Sequence, residues 1–119
     1  MAYQKVFKAA GLRDNVINAM SMNKEQVIAK LREHERELKA AGIVHLAVFG
    51  SVARCDNSQQ SDVDLLADFD KSKHYTLLTM GRLENRLADL LGVRVDLSSP
   101  EWLRETIKNQ VLREAVDAF

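Results

Sequence analysis

Two aspartates one residue apart, Asp62 and Asp64, open an otherwise apolar stretch, DVDLLADFD (62–70). No other feature constrains the fold as tightly. Side chains two apart on a β-strand project from the same face, so a strand here points both carboxylates the same way. Val63, Leu65 and Leu66 flank them. An ionised carboxylate beside a core is costly unless paired, and two like charges side by side repel unless something positive lies between them. Before the pair comes a polar segment of loop composition (52–61). Before that, Gly50-Ser51 follows IVHLAVF (43–49), a short β-branched apolar run that reads as a buried strand.

A third carboxylate belongs to the same problem. VRVDLS (93–98) reads as another strand and carries Asp96 between Val95 and Leu97. If this strand lies beside the second, Asp96 joins Asp62 and Asp64. Two partners for such a cluster are open: Arg94, and a divalent cation. Oxygen-only ligands suit Mg²⁺ or Mn²⁺, and two such ions bridged by carboxylates serve in-line phosphoryl displacement. Gly50 allows a backbone to approach a phosphate closely, and the Ser51 hydroxyl with exposed N–H groups can cradle its oxygens. A helical turn starting at Ser51 favours an anion at its N-terminus. Arg54 either adds a charge-assisted phosphate contact or forms a salt bridge to Asp56 or Asp62.

The remaining elements follow from periodicity. NKEQVIAKLREHERELKAAG (23–42) predicts one helix, with Asn23 and Gln26 in capping-box spacing and Gly42 as the stop. Val27, Leu31, His34 and Leu38 recur at helical spacing, which places His34 in the core. A turn at 71–74 contains Lys71 and Lys73. The second helix spans 75–92, with Leu83, Leu87, Leu90 and Leu91 inward and Gly92 at its end. Ser99 and Pro100 suit a helix start. The rest is expected to be helical to the end, broken near Lys108-Asn109, with Trp102, Ile107, Val111, Leu112, Val116 and Phe119 mostly in the core. The order helix, strand, loop, strand, helix, strand, helix predicts an α/β (α+β) domain. Its sheet, mixed or antiparallel, has about three strands covered by helices. Residues 1–21 form either an N-terminal extension or a first helix, and the domain proper covers 22–119.

Composition excludes several classes. The 119 residues fit one domain, and 46% hydrophobic with 29% charged is ordinary for a globular protein. Lys plus Arg balances Asp plus Glu at 17 each, so steering toward nucleic acid or an anionic membrane is not indicated. The single cysteine, Cys55, rules out a disulfide framework and fits a reducing compartment. His34, His45 and His74 are too scattered for a zinc site. No apolar run reaches membrane-spanning length, and the first twenty residues lack the apolar block of a signal peptide. A cytoplasmic location is expected.

FGSVAR followed by SDVDLLADF, with a later strand carrying Asp96, resembles the nucleotidyltransferase superfamily related to DNA polymerase β. Its signature is Gly-Ser, about ten residues, Asp-x-Asp, then a third carboxylate on a later strand. The likeness covers roughly residues 23–119, and the chain's size resembles the minimal nucleotidyltransferases. Many of these are antitoxins that pair with a HEPN ribonuclease toxin and transfer AMP from ATP to one of its tyrosines. The resemblance implies that Asp62, Asp64 and Asp96 bind two Mg²⁺ ions, and that Asp96 helps deprotonate the acceptor hydroxyl. It implies that Gly50 and Ser51, with Arg54 beside them, bind the triphosphate. It implies a hetero-oligomer with the toxin. The alternative is an antitoxin that neutralises by binding alone. Transfer to a small molecule is disfavoured by the lack of a second domain to enclose one, and polymerisation on nucleic acid by the neutral charge. One position departs from the family pattern, which has Gly after Ala-Arg where this chain has Cys55.

Overall fold

The computed structural model describes residues 22–56 and 62–119. The expectation for 1–21, and the part of the polar loop at 57–61, lie outside the described residues. Helix α1 (Lys24–Glu33) starts on the expected capping box: Gln26 N–H donates to Asn23 Oδ1 at 2.8 Å, and Asn23 N–H donates to Gln26 Oε1 at 3.0 Å. The predicted single helix is divided at His34 (φ −110°, ψ 17°), beyond which α2 (Glu35–Ala40) continues. No Gly or Pro marks this break in the sequence. The break turns His34 half out of the core, where Nδ1 lies 3.5 Å from Glu37.

Strand β1 (Ile43–Phe49) matches its predicted bounds. Helix α3 (Gly50–Arg54) follows at once, then β2 (Val63–Phe69) and α4 (Leu77–Leu91). Thr76 and Thr79 form the second capping box, and Gly92 closes α4. Strand β3 (Val95–Ser98) leads to a 3₁₀ turn (Pro100–Trp102), then α5 (Glu105–Glu114) and β4 (Val116–Asp117).

The sheet is mixed, in the order β3-β2-β1-β4. β1 pairs antiparallel with β2 and with β4, and β2 pairs parallel with β3. It therefore has one strand more than the three expected. The extra strand comes from the end of the chain, which is not helical: α5 runs unbroken through Lys108-Asn109 and stops at Ala115. Leu46 donates its N–H to Phe119 O, and its C=O accepts from Ala118 N–H at 2.8 Å; Arg32 Nε donates to Ala118 O at 2.6 Å. The open edge of β1 has backbone groups that need partners, and this demand overrides the local helical pattern.

The core lies on one sheet face. Leu46 and Val48 of β1 and Val63, Leu65 and Ala67 of β2 meet Val27, Leu31, Leu38, Leu83, Leu87 and Leu91 from the helices. A bulge between Ile43 and His45 shifts the alternation, so that Ile43 and Leu46 are both buried. The last helix contributes less than expected. Val111 is buried, but Ile107 and Leu112 are about half exposed, as is Trp102. Among the described residues, no helix is long and apolar enough to cross a membrane.

Candidate active site

β2 and β3 bring the three aspartates together by register. Asp64 is the direct partner of Asp96, and Val63 of Val95, so Asp62 falls beside Arg94. Alternation then turns Val63, Leu65 and Leu97 into the core and leaves Asp62, Asp64 and Asp96 on the opposite face. Phe49, the last residue of β1, lies opposite Asp64 on the other side. Asp64 is thus half-buried at the centre of the sheet, whereas Asp62 and Asp96 are exposed.

The electrostatics single out Asp64. Burial, then the neighbouring charges of Asp96 and Asp62, push its carboxyl above the ordinary range, with Arg54 pulling weakly the other way. Asp62 has a partner: Arg94 Nε lies 3.1 Å from its Oδ1. Of the two partners open at the sequence level, Arg94 therefore takes Asp62 and leaves the Asp64–Asp96 pair without a matching cation. Among the described residues no three His, Cys, Asp or Glu side chains are gathered on one point. The donor set fits a hard divalent cation nonetheless. It is made only of carboxylate oxygens, and its central member carries uncompensated like charge.

Gly50 occupies its place for a reason the sequence does not reveal. Its φ is +75°, a left-handed conformation that favours glycine, and a Cβ there would clash with Asp64 Oδ2. The turn from β1 into α3 is therefore packed directly against the central aspartate. Val52 is buried and anchors that turn. The Ser51 side chain is half-exposed and has no hydrogen-bond partner among the described residues. Arg54 is held by two acids, Asp56 Oδ2 at 3.2 Å and Glu114 Oε1 at 3.1 Å, which tie α3 to α5. The Asp56 bridge was one of the sequence alternatives; Glu114, sixty residues away, has no local signal. Cys55 ends α3 with φ 65° and ψ 31°, exposed and free. A glycine would adopt this left-handed geometry without strain.

Sequence reasoning missed one residue near the site. Glu84 of α4 accepts a hydrogen bond from Leu97 N–H at 2.9 Å, one residue past Asp96. No motif or periodicity marks it. The three histidines share no partner: His45 lies between Asp68 (3.4 Å) and Asp117 (3.0 Å), while His34, at the helix break, lies beside Glu37.

Comparisons with known proteins agree with this geometry. The family model described as "Nucleotidyltransferase domain" matches residues 28–118. The protein adenylyltransferase MntA of Thermococcus cleftensis is 40% identical over 93 residues, which cover 77% of this chain and 92% of the relative. A solved structure described as a minimal nucleotidyltransferase superposes with a TM-score of 0.65 at 45% identity, covering 80% of this chain and 95% of its own. A chain from the complex of tri-AMPylated Shewanella oneidensis HEPN toxin with its MNT antitoxin shares the fold at 16% identity, with a TM-score of 0.57 over 78% of this chain and 71% of that one. With its Gly-Ser turn seated on the central carboxylate and its third aspartate in register on the next strand, the chain belongs to the nucleotidyltransferase domain family.

Proposed function

We propose that this chain, as a minimal domain over residues 22–119, transfers AMP from ATP to a hydroxyl of a partner protein. The acceptor would be a tyrosine of a cognate HEPN ribonuclease toxin, which the transfer inactivates, and the two proteins would form a hetero-oligomer. The observation that carries this reading is the register Asp64↔Asp96 with Asp62 two residues back, under a turn whose left-handed φ at position 50 favours glycine. The name of the Thermococcus cleftensis relative and the AMPylated state of the Shewanella oneidensis toxin support the choice of reaction and acceptor.

In this reading Asp62 and Asp64 hold the triphosphate's metal ions, and Asp96 shares the catalytic one. When bound, two Mg²⁺ ions supply Lewis-acid stabilisation of the charge on the transferring and leaving phosphates. The chain does the rest. The turn at Gly50 and the Ser51 hydroxyl would bind the β- and γ-phosphates and so hold the triphosphate in place. Asp96, exposed at the sheet edge, accepts the proton of the incoming hydroxyl. The hydroxyl oxygen forms a bond to the α-phosphorus, the α–β bridging bond breaks, and pyrophosphate leaves. Arg54, engaged by Asp56 through Nε and by Glu114 through Nη1, keeps its Nη2 donors for a phosphate oxygen.

The test is incubation with labelled ATP, Mg²⁺ and the HEPN-type protein encoded beside it. Label on the partner with the wild type, and none with Asp62→Ala/Asp64→Ala, is the expected result. An unlabelled partner that is still neutralised by the double variant would overturn transfer in favour of neutralisation by binding alone.

A further inference from the structure

We infer that Glu84 is a positioning residue for Asp96, acting through the backbone of the edge strand. The inference rests on the transfer reading above and concerns the same site. β3 is four residues long and, among the described residues, lies at the sheet edge and pairs on one side only. Arg94 C=O accepts from Val63 N–H at 2.9 Å, so Arg94, Asp96 and Ser98 turn their backbone groups toward β2, while Val95 and Leu97 turn theirs outward. The outward Leu97 N–H would be an orphan donor at an unpaired edge. Glu84 Oε2 takes it at 2.9 Å in a half-buried setting.

The helix places Glu84 there for a simple reason. Leu83, Leu87 and Leu91 form the buried stripe of α4. Glu84 sits next to Leu83, on the border of that stripe, where α4 leans on β3. No other acceptor for the Leu97 N–H is present among the described residues. A short strand paired on one side has weakly specified register, and a slip by one residue would turn Asp96 into the core and Leu97 out. The Glu84 bond resists that slip from the unpaired side. It also occupies an edge that would otherwise recruit a foreign strand.

The conservative variant separates a hydrogen bond from a charge. Glu84→Gln keeps an oxygen acceptor and loses the charge; Glu84→Ala loses both. Three readouts apply to the full chain: amide exchange of Leu97 by NMR, Mn²⁺ affinity by calorimetry, and AMP transfer with kcat and KM for ATP resolved. In Glu84→Ala, Leu97 exchange rises at least about tenfold. Mn²⁺ binds about tenfold more weakly, the range expected when a residue behind a metal ligand is removed, and kcat falls with KM little changed. Glu84→Gln restores each to within a few-fold of wild type. Unchanged Leu97 exchange in Glu84→Ala overturns the inference, as does a Glu84→Gln variant as impaired as Glu84→Ala. Should Glu84→Ala fail to fold, Leu97 exchange carries the test: a Leu97 amide protected in both the wild type and Glu84→Gln upholds the hydrogen bond, and an unprotected Leu97 amide in the wild type overturns it. A wild type that binds no Mn²⁺ and transfers no AMP would overturn the transfer reading instead, a result distinct from both.

Discussion

The two ends of β2 treat an aspartate in opposite ways. At the entry, Asp64 sits half-buried beside Asp96 and Asp62, and its carboxyl is pushed above the ordinary range by burial and by those charges. Just beyond the exit, Asp70 accepts hydrogen bonds from Ser72 Oγ at 2.7 Å and Ser72 N–H at 2.9 Å, and these hold its carboxyl below that range. Around the exit the structure is self-sufficient. Phe69 stacks on Trp102 at 5.8 Å and packs against Tyr75 at 5.1 Å, and the Tyr75 hydroxyl donates to Asp70 O at 3.0 Å. At the entry the chain has assembled charge that it does not itself neutralise. A residue whose needs are met locally serves the fold, and one left in electrostatic debt marks where a ligand acts.

The strongest way to break the comparison is Asp64→Asn. In the proposed reaction, AMP transfer should fall on the order of a thousandfold, because the metal stabilisation that Asp64 would support is worth several kcal/mol. The melting temperature at pH 7 should rise in the same variant, since the like-charge cluster is relieved. The sign follows from linkage: a carboxyl raised in the folded state favours folding in acid, and that contribution is lost as pH rises through the raised value. The thermal gain should therefore fade on acidification. A variant less stable at pH 7 would show that the aspartate is structurally satisfied.

Gly50→Ala comes next. A Cβ clashing with Asp64 Oδ2, with about 1 kcal/mol or more of left-handed strain, should lower transfer about a hundredfold, while circular dichroism stays native. Activity near wild type would mean that Asp64 can move without loss. At the other end, Phe69→Ala should cost about 2 kcal/mol in denaturant unfolding through lost aromatic packing, with Mn²⁺ affinity unchanged. A loss of metal binding there would erase the distinction between the two ends. Cys55→Gly should stabilise by about 1 kcal/mol, because it relieves a left-handed non-glycine residue; the midpoint of urea unfolding reads this. The smallest effect is Asp70→Asn. It should lower the melting temperature slightly at pH 7, with the difference shrinking on acidification, because a depressed carboxyl contributes stability above its unfolded pKa and loses it as pH falls through the folded one.

Much of the site was legible along the chain because its signals are local. Asp62 and Asp64 share a face by strand alternation, Gly50-Ser51 falls at a strand end, and the Asn23–Gln26 box starts a helix where its spacing says. β1 was readable to the residue because a continuous β-branched run has few other uses. The failures have different origins. His34 lies at helical spacing yet breaks the helix. The terminal residues 115–119 have a helical pattern yet complete the sheet, since Leu46 needs backbone partners. Ile107 and Leu112 look like core residues yet stay half exposed.

By itself, then, the sequence determined which residues carry charge into an apolar setting, and on which face of each strand they stand, because alternation and capping depend only on neighbours a few positions away. Tertiary structure alone decided that Asp96 stands in register with Asp64, that Arg94 pairs with Asp62, that Gly50 must make room for a carboxylate, and that Glu84 reaches the edge strand. Those facts depend on which strands lie side by side, and pairing is set by the burial and backbone hydrogen bonding of the whole chain rather than by any local pattern.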